Sequence, residues 1–341
     1  MRLSTISRFF IMKREGNIMW KSLVVLIFLT NIISGCGMAD LSNTIKGSYY
    51  MKTGEYRQAE ADFEETVNKH PDSESAQYYL GRSLLAQNKA AEALSHFERA
   101  VVLDPGDVDY HFWLGVTYGE LGDVKAEEMS YERALQLNGH HLQARLYLGH
   151  VRLRNGNLRQ AIEAYDAVLI EQLTNSAALY NRALILDIEK KYSAAKAAWL
   201  KYLHWYPAGR FALQATDHLN ALGDFSYEKQ FLGDRAVTLA EIKFQQSGSV
   251  SPSSYPSLRL VGAIVSNLPK GTLQVVVYVH NNKQLAKQRA IEIANTLHTF
   301  FPTIGPDRIR ISWFDTSEKI TQDNKTYIKN ESVRIFLTDW K

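Results

Sequence analysis

The chain has 341 residues, 45% apolar and 22% charged, the composition of a globular protein of about two domains. Its formal charge of +3 sits at the start, where residues 1–35 hold Arg2, Arg8, Lys13, Arg14 and Lys21 against Glu15 alone. Removing those from totals of 39 basic and 36 acidic residues leaves 34 and 35, a net of −1, and no basic footprint for nucleic acid.

Lys21 precedes the apolar run Leu23–Leu29, continued by Ile32 and Ile33, which is too short for a spanning helix and reads as a targeting segment. It ends in Ile33-Ser34-Gly35-Cys36, which resembles a bacterial lipobox: an apolar residue, two small ones, then cysteine. The resemblance implies that residues 1–36 are a lipoprotein signal peptide and that Cys36 carries the acyl chains, palmitate among them. Met19 to Cys36 alone makes a compact signal, so Met1 and Met19 both stand as starts. Gly37 occupies the place where an aspartate would resemble an inner-membrane retention signal, so the expected location is the outer membrane, lipid-anchored and facing the periplasm. Cys36 is the chain's one cysteine, which excludes an internal disulfide and a cysteine-bound metal cluster.

From residue 40 to 222 the chain repeats with a period of 34. Small residues recur at Gly47, Gly81, Gly115, Gly149 and Ala183, and aromatics at Phe63, Phe97, Tyr131, Tyr165 and Trp199. Alanines recur at Ala59, Ala93, Ala161 and Ala195, interrupted by Glu127. Pro71, Pro105 and Pro207 fall in phase, where each stops a helix by removing a donor and clashing with the preceding turn. In-phase small, aromatic and proline columns at this period resemble the tetratricopeptide repeat (TPR) family. That resemblance implies five helical hairpins stacked into an all-α superhelix, closed by a capping helix from Phe211 to Leu222 with Phe211, Leu213, Ala215, Leu219 and Leu222 facing inward.

In TPR families the first helix of each hairpin lines the concave face. Carried onto this chain, its fifth and ninth positions are Tyr78 and Arg82, Phe112 and Val116, Leu146 and His150, and Tyr180 and Leu184. The resemblance implies a partner groove that is aromatic and aliphatic, with one arginine and one histidine, suited to an apolar or amphipathic peptide segment. A lysine-lined clamp for a terminal carboxylate is not expected, because these positions are not basic. His140 and His141 read as solvated loop residues without further metal ligands at suitable spacing, and the pairs Glu64-Glu65 and Glu127-Glu128 as solvated helix faces.

Residues 223–236 read as a linker. Beyond it, a strand is expected over Val237–Phe244, a helix over Leu258–Leu268, a strand over Leu273–Val279, a helix over Gln284–Phe301, and strands over Ile309–Phe314 and Val333–Leu337. A polar stretch, 315–330, separates the last two. This makes 237–341 a small two-layer α/β domain of βαβαβ order. Val277-Tyr278-Val279-His280-Asn281-Asn282, Leu285-Ala286-Lys287-Gln288-Arg289-Ala290 and Asn330-Glu331-Ser332-Val333-Arg334-Ile335 resemble motifs of the OmpA-like, peptidoglycan-associated family. The resemblance implies that Asn282 and Arg289 stand where that family grips cell-wall peptide. Asn282 replaces the family's aspartate, Ser332 replaces an arginine, and the intervening loop is shorter. The domain therefore reads as a degenerate member.

No nucleophile elbow, phosphate-cradling loop, zinc pair or dinucleotide fingerprint occurs in a suitable context, so no catalytic residues, metal or cofactor are expected. The expected role is a scaffold for assembling an envelope machine, with a secretin or a type IV or Tad pilus component as partner. A tether binding peptidoglycan through the C-terminal domain is the second expectation.

Overall fold

The structure is a computed structural model that describes residues 40–322 and 324–339, so Cys36 and the signal segment lie outside the described residues. It divides into two compact units, one ending at Asn155 and the other beginning at Gly156.

The described residues of the first unit form helices joined by short turns. A helix over 40–53 (α1) is followed by α2 (Tyr56–Lys69), α3 (Glu74–Ala86), α4 (Ala90–Leu103), α5 (Val108–Leu121), α6 (Val124–Leu137) and α7 (Leu142–Arg154). Side-chain caps start several of these helices. Ser73 accepts from the Ala76 N–H, Asp107 from Asp109 and Tyr110, Asp123 from Ala126, and His141 from Ala144 through Nδ1. His141 is thus a cap, its other nitrogen 3.2 Å from Asp109, and not a solvated loop residue.

The repeat columns have separate jobs. A Cβ added at Gly47, Gly81 or Gly115 would lie 2.3, 3.0 and 2.6 Å from the rings of Tyr79, Phe97 and Tyr131. The small column therefore lets a ring lie directly on the helix backbone. Phe63, Phe97 and Tyr131 are completely buried, and so are Ala59 and Ala93. Between the two helices of a repeat the chain turns through a left-handed residue, and this position also recurs every 34 residues: Gly54, Asn88, Gly122, Gly156 and Lys190.

Glu127, the break in the alanine column, is not a solvated face residue. It is 3% exposed and paired with Arg154, and its carboxylate fits because Gly119 opposite has no side chain. Burial raises its pKa against the lowering by Arg154.

The second unit begins with α8 (Leu158–Glu171), α9 (Ser176–Ile188), α10 (Tyr192–Trp205) and α11 (Arg210–Ala221). Tyr165 and Trp199 fill its aromatic column and are fully buried. α11 is the expected capping helix, but rotated: Ala212, Ala215, Thr216 and Leu219 are buried while Phe211 is exposed. Its back is also covered. A hairpin, β1 (Tyr227–Leu232) and β2 (Arg235–Ala240), packs on α11, and the Thr216 hydroxyl donates to that of Thr238 at 3.2 Å. The stretch 223–236 is therefore not a linker. Its strand was hidden because the Glu-Lys-Gln segment 228–230 is polar, with Glu228 half-buried against Lys329 and Arg334 and Lys229 paired with Asp217.

α12 (Tyr255–Ser266), β3 (Thr272–Val279), α13 (Lys283–Phe300), β4 (Ile309–Phe314) and β7 (Glu331–Thr338) follow the expected order. They build a sheet β4-β3-β7, with β3 parallel to β4 and antiparallel to β7. Leu258, Val261 and Val265 of α12 and Ala286, Ala290, Ile293 and Leu297 of α13 complete its core. The polar stretch 315–330 folds as well, into the hairpin β5 (Glu318–Gln322) and β6 (Lys325–Lys329). Charges bind it: Lys329 lies 2.9 Å from Glu228 and 3.3 Å from Glu241, while Arg334 pairs with both Glu228 and Glu318.

Candidate functional site

In the first unit the first helices of successive repeats, α1, α3 and α5, face one cavity of about 380 Å³. That volume falls in the range of ligand pockets, about 300–1,000 Å³. Arg82 projects from α3 into it, with Leu85 one turn along; Trp113 and Val116 come from α5, Met51 from α1, and Glu120 forms part of the rim. Arg82 is fixed from two sides. Its Nη1 donates to the Tyr78 hydroxyl at 2.8 Å, and its guanidinium carbon lies 3.8 Å from the centroid of the Trp113 ring.

The eight expected groove residues divide by position. The fifth-position rings point between helices and are largely taken up there. Tyr78 is 7% exposed among Tyr79, Phe97 and Tyr110, and burial pushes its phenol pKa well up. Phe112 is 3% exposed against Trp113, Tyr131 and Tyr147. Leu146 on α7 is half-buried. Tyr180 is half-buried because α11 closes over it, with Phe211 against its ring and Gln214 accepting from its hydroxyl at 3.2 Å. The open greasy wall expected at these positions is therefore corrected at Tyr78, Phe112 and Tyr180, where the chain's own aromatics fill it.

The ninth positions, Arg82, Val116, His150 and Leu184, are half-buried. Arg82 and Val116 share the cavity. His150 lies beside the Tyr147 ring, its pKa lowered first by burial and then by Arg154. Leu184 belongs to the other unit. Trp113 was missed from sequence, although a tryptophan one place after an expected groove residue was the visible signal.

The second unit holds another cavity, of about 270 Å³, lined in part by Phe244, Tyr278, Arg289, Glu331 and Ser332. Arg289 donates to Glu331 at 2.7 Å and packs on the Phe244 ring, 4.7 Å from its centroid. Its Nε and the Ser332 hydroxyl are buried without hydrogen-bond partners. Asn282 is not brought to this cavity. Its side chain accepts from the Leu285 N–H at 3.0 Å, capping α13.

No group of three or more His, Cys, Asp or Glu residues that could hold a metal occurs among the described residues. Nor is any helix among them long and apolar enough to cross a membrane.

Residues 46–108, 81–141 and 146–212 each match the tetratricopeptide repeat family model. Over 285 residues the chain is 24% identical to superkiller complex protein 3 of Mus musculus, a match covering 71% of this chain and 18% of that protein. Over 115 residues it is 31% identical to DnaJ homolog subfamily C member 3 of Rattus norvegicus, covering 34% of this chain and 21% of that protein. The chain thus spans about a fifth of the length of these curated relatives. Among solved structures, pilF of Pseudomonas aeruginosa is similar at 17% identity and a TM-score of 0.48, covering 55% of this chain and 90% of that one. YrrB, described as a TPR protein with an unusual peptide-binding site, is similar at 22% identity and a TM-score of 0.45, covering 50% and 88%. Residues 46–141 and 146–212 of this chain are tetratricopeptide repeats.

Proposed function

We propose that this protein is an outer-membrane lipoprotein, acylated at Cys36 and facing the periplasm, whose repeats hold another envelope protein. On this reading it assembles a larger machine such as a secretin or a type IV or Tad pilus. The cavity across α1, α3 and α5 carries the interaction role, since it joins apolar walls to an arginine already fixed in place. The lipobox-like Ile33-Ser34-Gly35-Cys36 supports the anchor. A single acyl chain gives only marginal membrane binding, so a lipid-modified N-terminus needs more than one chain for stable mooring.

Cell fractionation combined with partner capture tests both halves. Wild-type protein should sediment with the outer membrane, and Cys36→Ser should move to the soluble periplasmic fraction. Val116→Glu should stay in the membrane with unchanged far-UV circular dichroism while losing its partner. Acidic residues at the buried Phe112 would unfold the helices instead. If Cys36→Ser still sediments with membranes, the anchor is wrong; if Val116→Glu keeps its partner, the groove is wrong.

A second reading, a cell-wall tether, is favoured by the unpartnered Arg289 Nε and Ser332 hydroxyl in the 270 Å³ cavity, which suit a carboxylate ligand. Glu331 opposes it by already occupying part of Arg289. Pull-down on purified sacculi decides: retention of wild type with loss in Arg289→Gln supports the tether, and equal retention dismisses it.

A further inference from the structure

The groove reading leaves open what kind of segment the repeats hold, and the chemistry around Arg82 narrows it. We propose that the cavity between α1, α3 and α5 binds a peptide segment carrying one acidic side chain next to an aliphatic one. The carboxylate meets Arg82, and the aliphatic group lies against Leu85 and Val116. This deepens the groove reading and rests on it.

Arg82 is half-buried, yet among the described residues no carboxylate pairs with it. Other arginines of the same unit are treated differently. Arg152 is paired with Glu128 and Glu132, at 2.9 and 2.7 Å, and Arg154 with Glu127. The Tyr78 hydroxyl occupies one nitrogen of Arg82, and Trp113 covers one face of its plane. Neither neutralises the charge. The donors left over belong to a side chain that is already held, so little rotamer freedom remains to be lost when a carboxylate arrives. A guanidinium presents a fork that matches a carboxylate, and hydrogen bonds between ionised partners are roughly twice as strong as neutral ones.

The surroundings limit the occupant further. Met51, Leu85 and Val116 supply apolar wall, which rewards an aliphatic neighbour of the acid. Glu120 on the same rim is exposed and repels a second acid, so a polyacidic run is disfavoured.

The test uses the full chain, purified in detergent and displayed to a phage library of random heptapeptides. Enriched peptides should carry a single Asp or Glu adjacent to Leu, Ile, Val or Met. The best one is then synthesised with its acid intact and as the amide. Replacing the acid by its amide, or Arg82 by Gln, should each weaken binding about tenfold or more, as loss of a charge-assisted contact does. The two losses should not add, and Arg82→Lys should recover part of the affinity. Far-UV circular dichroism reports that the variants remain folded. Peptides that enrich without an acid, or that bind Arg82→Gln as well as wild type while Val116→Glu abolishes them, overturn this proposal and leave the groove intact. If no peptide enriches, both fall.

Discussion

Replacing Gly115 by alanine puts a methyl group 2.6 Å from Cε1 and 2.8 Å from Cδ1 of Tyr131, and 3.1 Å from the Ser130 Cβ. The Tyr131 ring cannot swing away freely. It is 1% exposed and held between Phe112 and Tyr147, whose centroids both lie 5.8 Å from its own. Overpacking of this kind costs about 1–3 kcal/mol. Alanine returns up to about 1 kcal/mol of helix propensity. Because both ring contacts fall under 3.0 Å and the ring is held, the cost lies in the upper half of that range, and the expected net effect is a destabilisation of about 1–2 kcal/mol. Urea unfolding followed by far-UV circular dichroism measures it. Trimming the opposing ring with Tyr131→Leu should absorb most of the cost, giving a clear coupling in the double-mutant cycle. The reasoning is refuted if Gly115→Ala is as stable as wild type, or costs the same in the Tyr131→Leu background.

Three further changes follow from the structure. Lys190 sits at φ 59° in the left-handed column, so Lys190→Gly should stabilise by about 0.5–1 kcal/mol, read as a rise in the urea midpoint. Glu127 has a folded pKa above its unfolded one, so its favourable contribution is complete below the unfolded value and is lost as pH rises through the folded value. Glu127→Gln should therefore match wild type near pH 4 and gain relative stability toward pH 7, whereas a pH-independent difference would dismiss the burial argument. Lys329 is 15% exposed between Glu228 and Glu241, which hold its pKa up against the lowering effect of burial. Lys329→Met leaves Glu228 with Arg334 alone and takes the cation from the part-exposed Glu241, and should cost about 1–3 kcal/mol in thermal or urea unfolding.

Much of the helical architecture was legible because a 34-residue period repeats the same packing problem. Gly81 has to be small because Phe97 lies on it, and that pair recurs at Gly115 with Tyr131. Glu127 departs from its column and was misread because its two compensations, the space left by Gly119 and the pairing with Arg154, become visible only when the helices pack. The fifth-position rings were placed on an open face for a related reason: a period identifies the position but not how deeply neighbouring helices close over it. Tyr78 and Phe112 were hidden by aromatics, leaving the shorter Val116 and the polar Arg82 to line the cavity. Strand β2 overlaps the strand expected over Val237–Phe244, but its partner β1 and the hairpin β5–β6 escaped because their polar residues are stabilised by distant charge pairs such as Lys329 with Glu228. In β2 the alternation of Val237 and Leu239 was visible, whereas β1, β5 and β6 lack the apolar alternation that marks a half-buried strand.

The central claim is that the inner face of the first helices, not the outer face of the second ones, meets the partner. Photo-crosslinking in living cells tests it most directly, with a benzophenone amino acid placed at Val116 on α5 or at the exposed Met129 on α6. The account predicts a discrete adduct with another envelope protein from position 116, diminished by Arg82→Gln, and none from position 129. No adduct from position 116, or the same adducts from both positions, would contradict it.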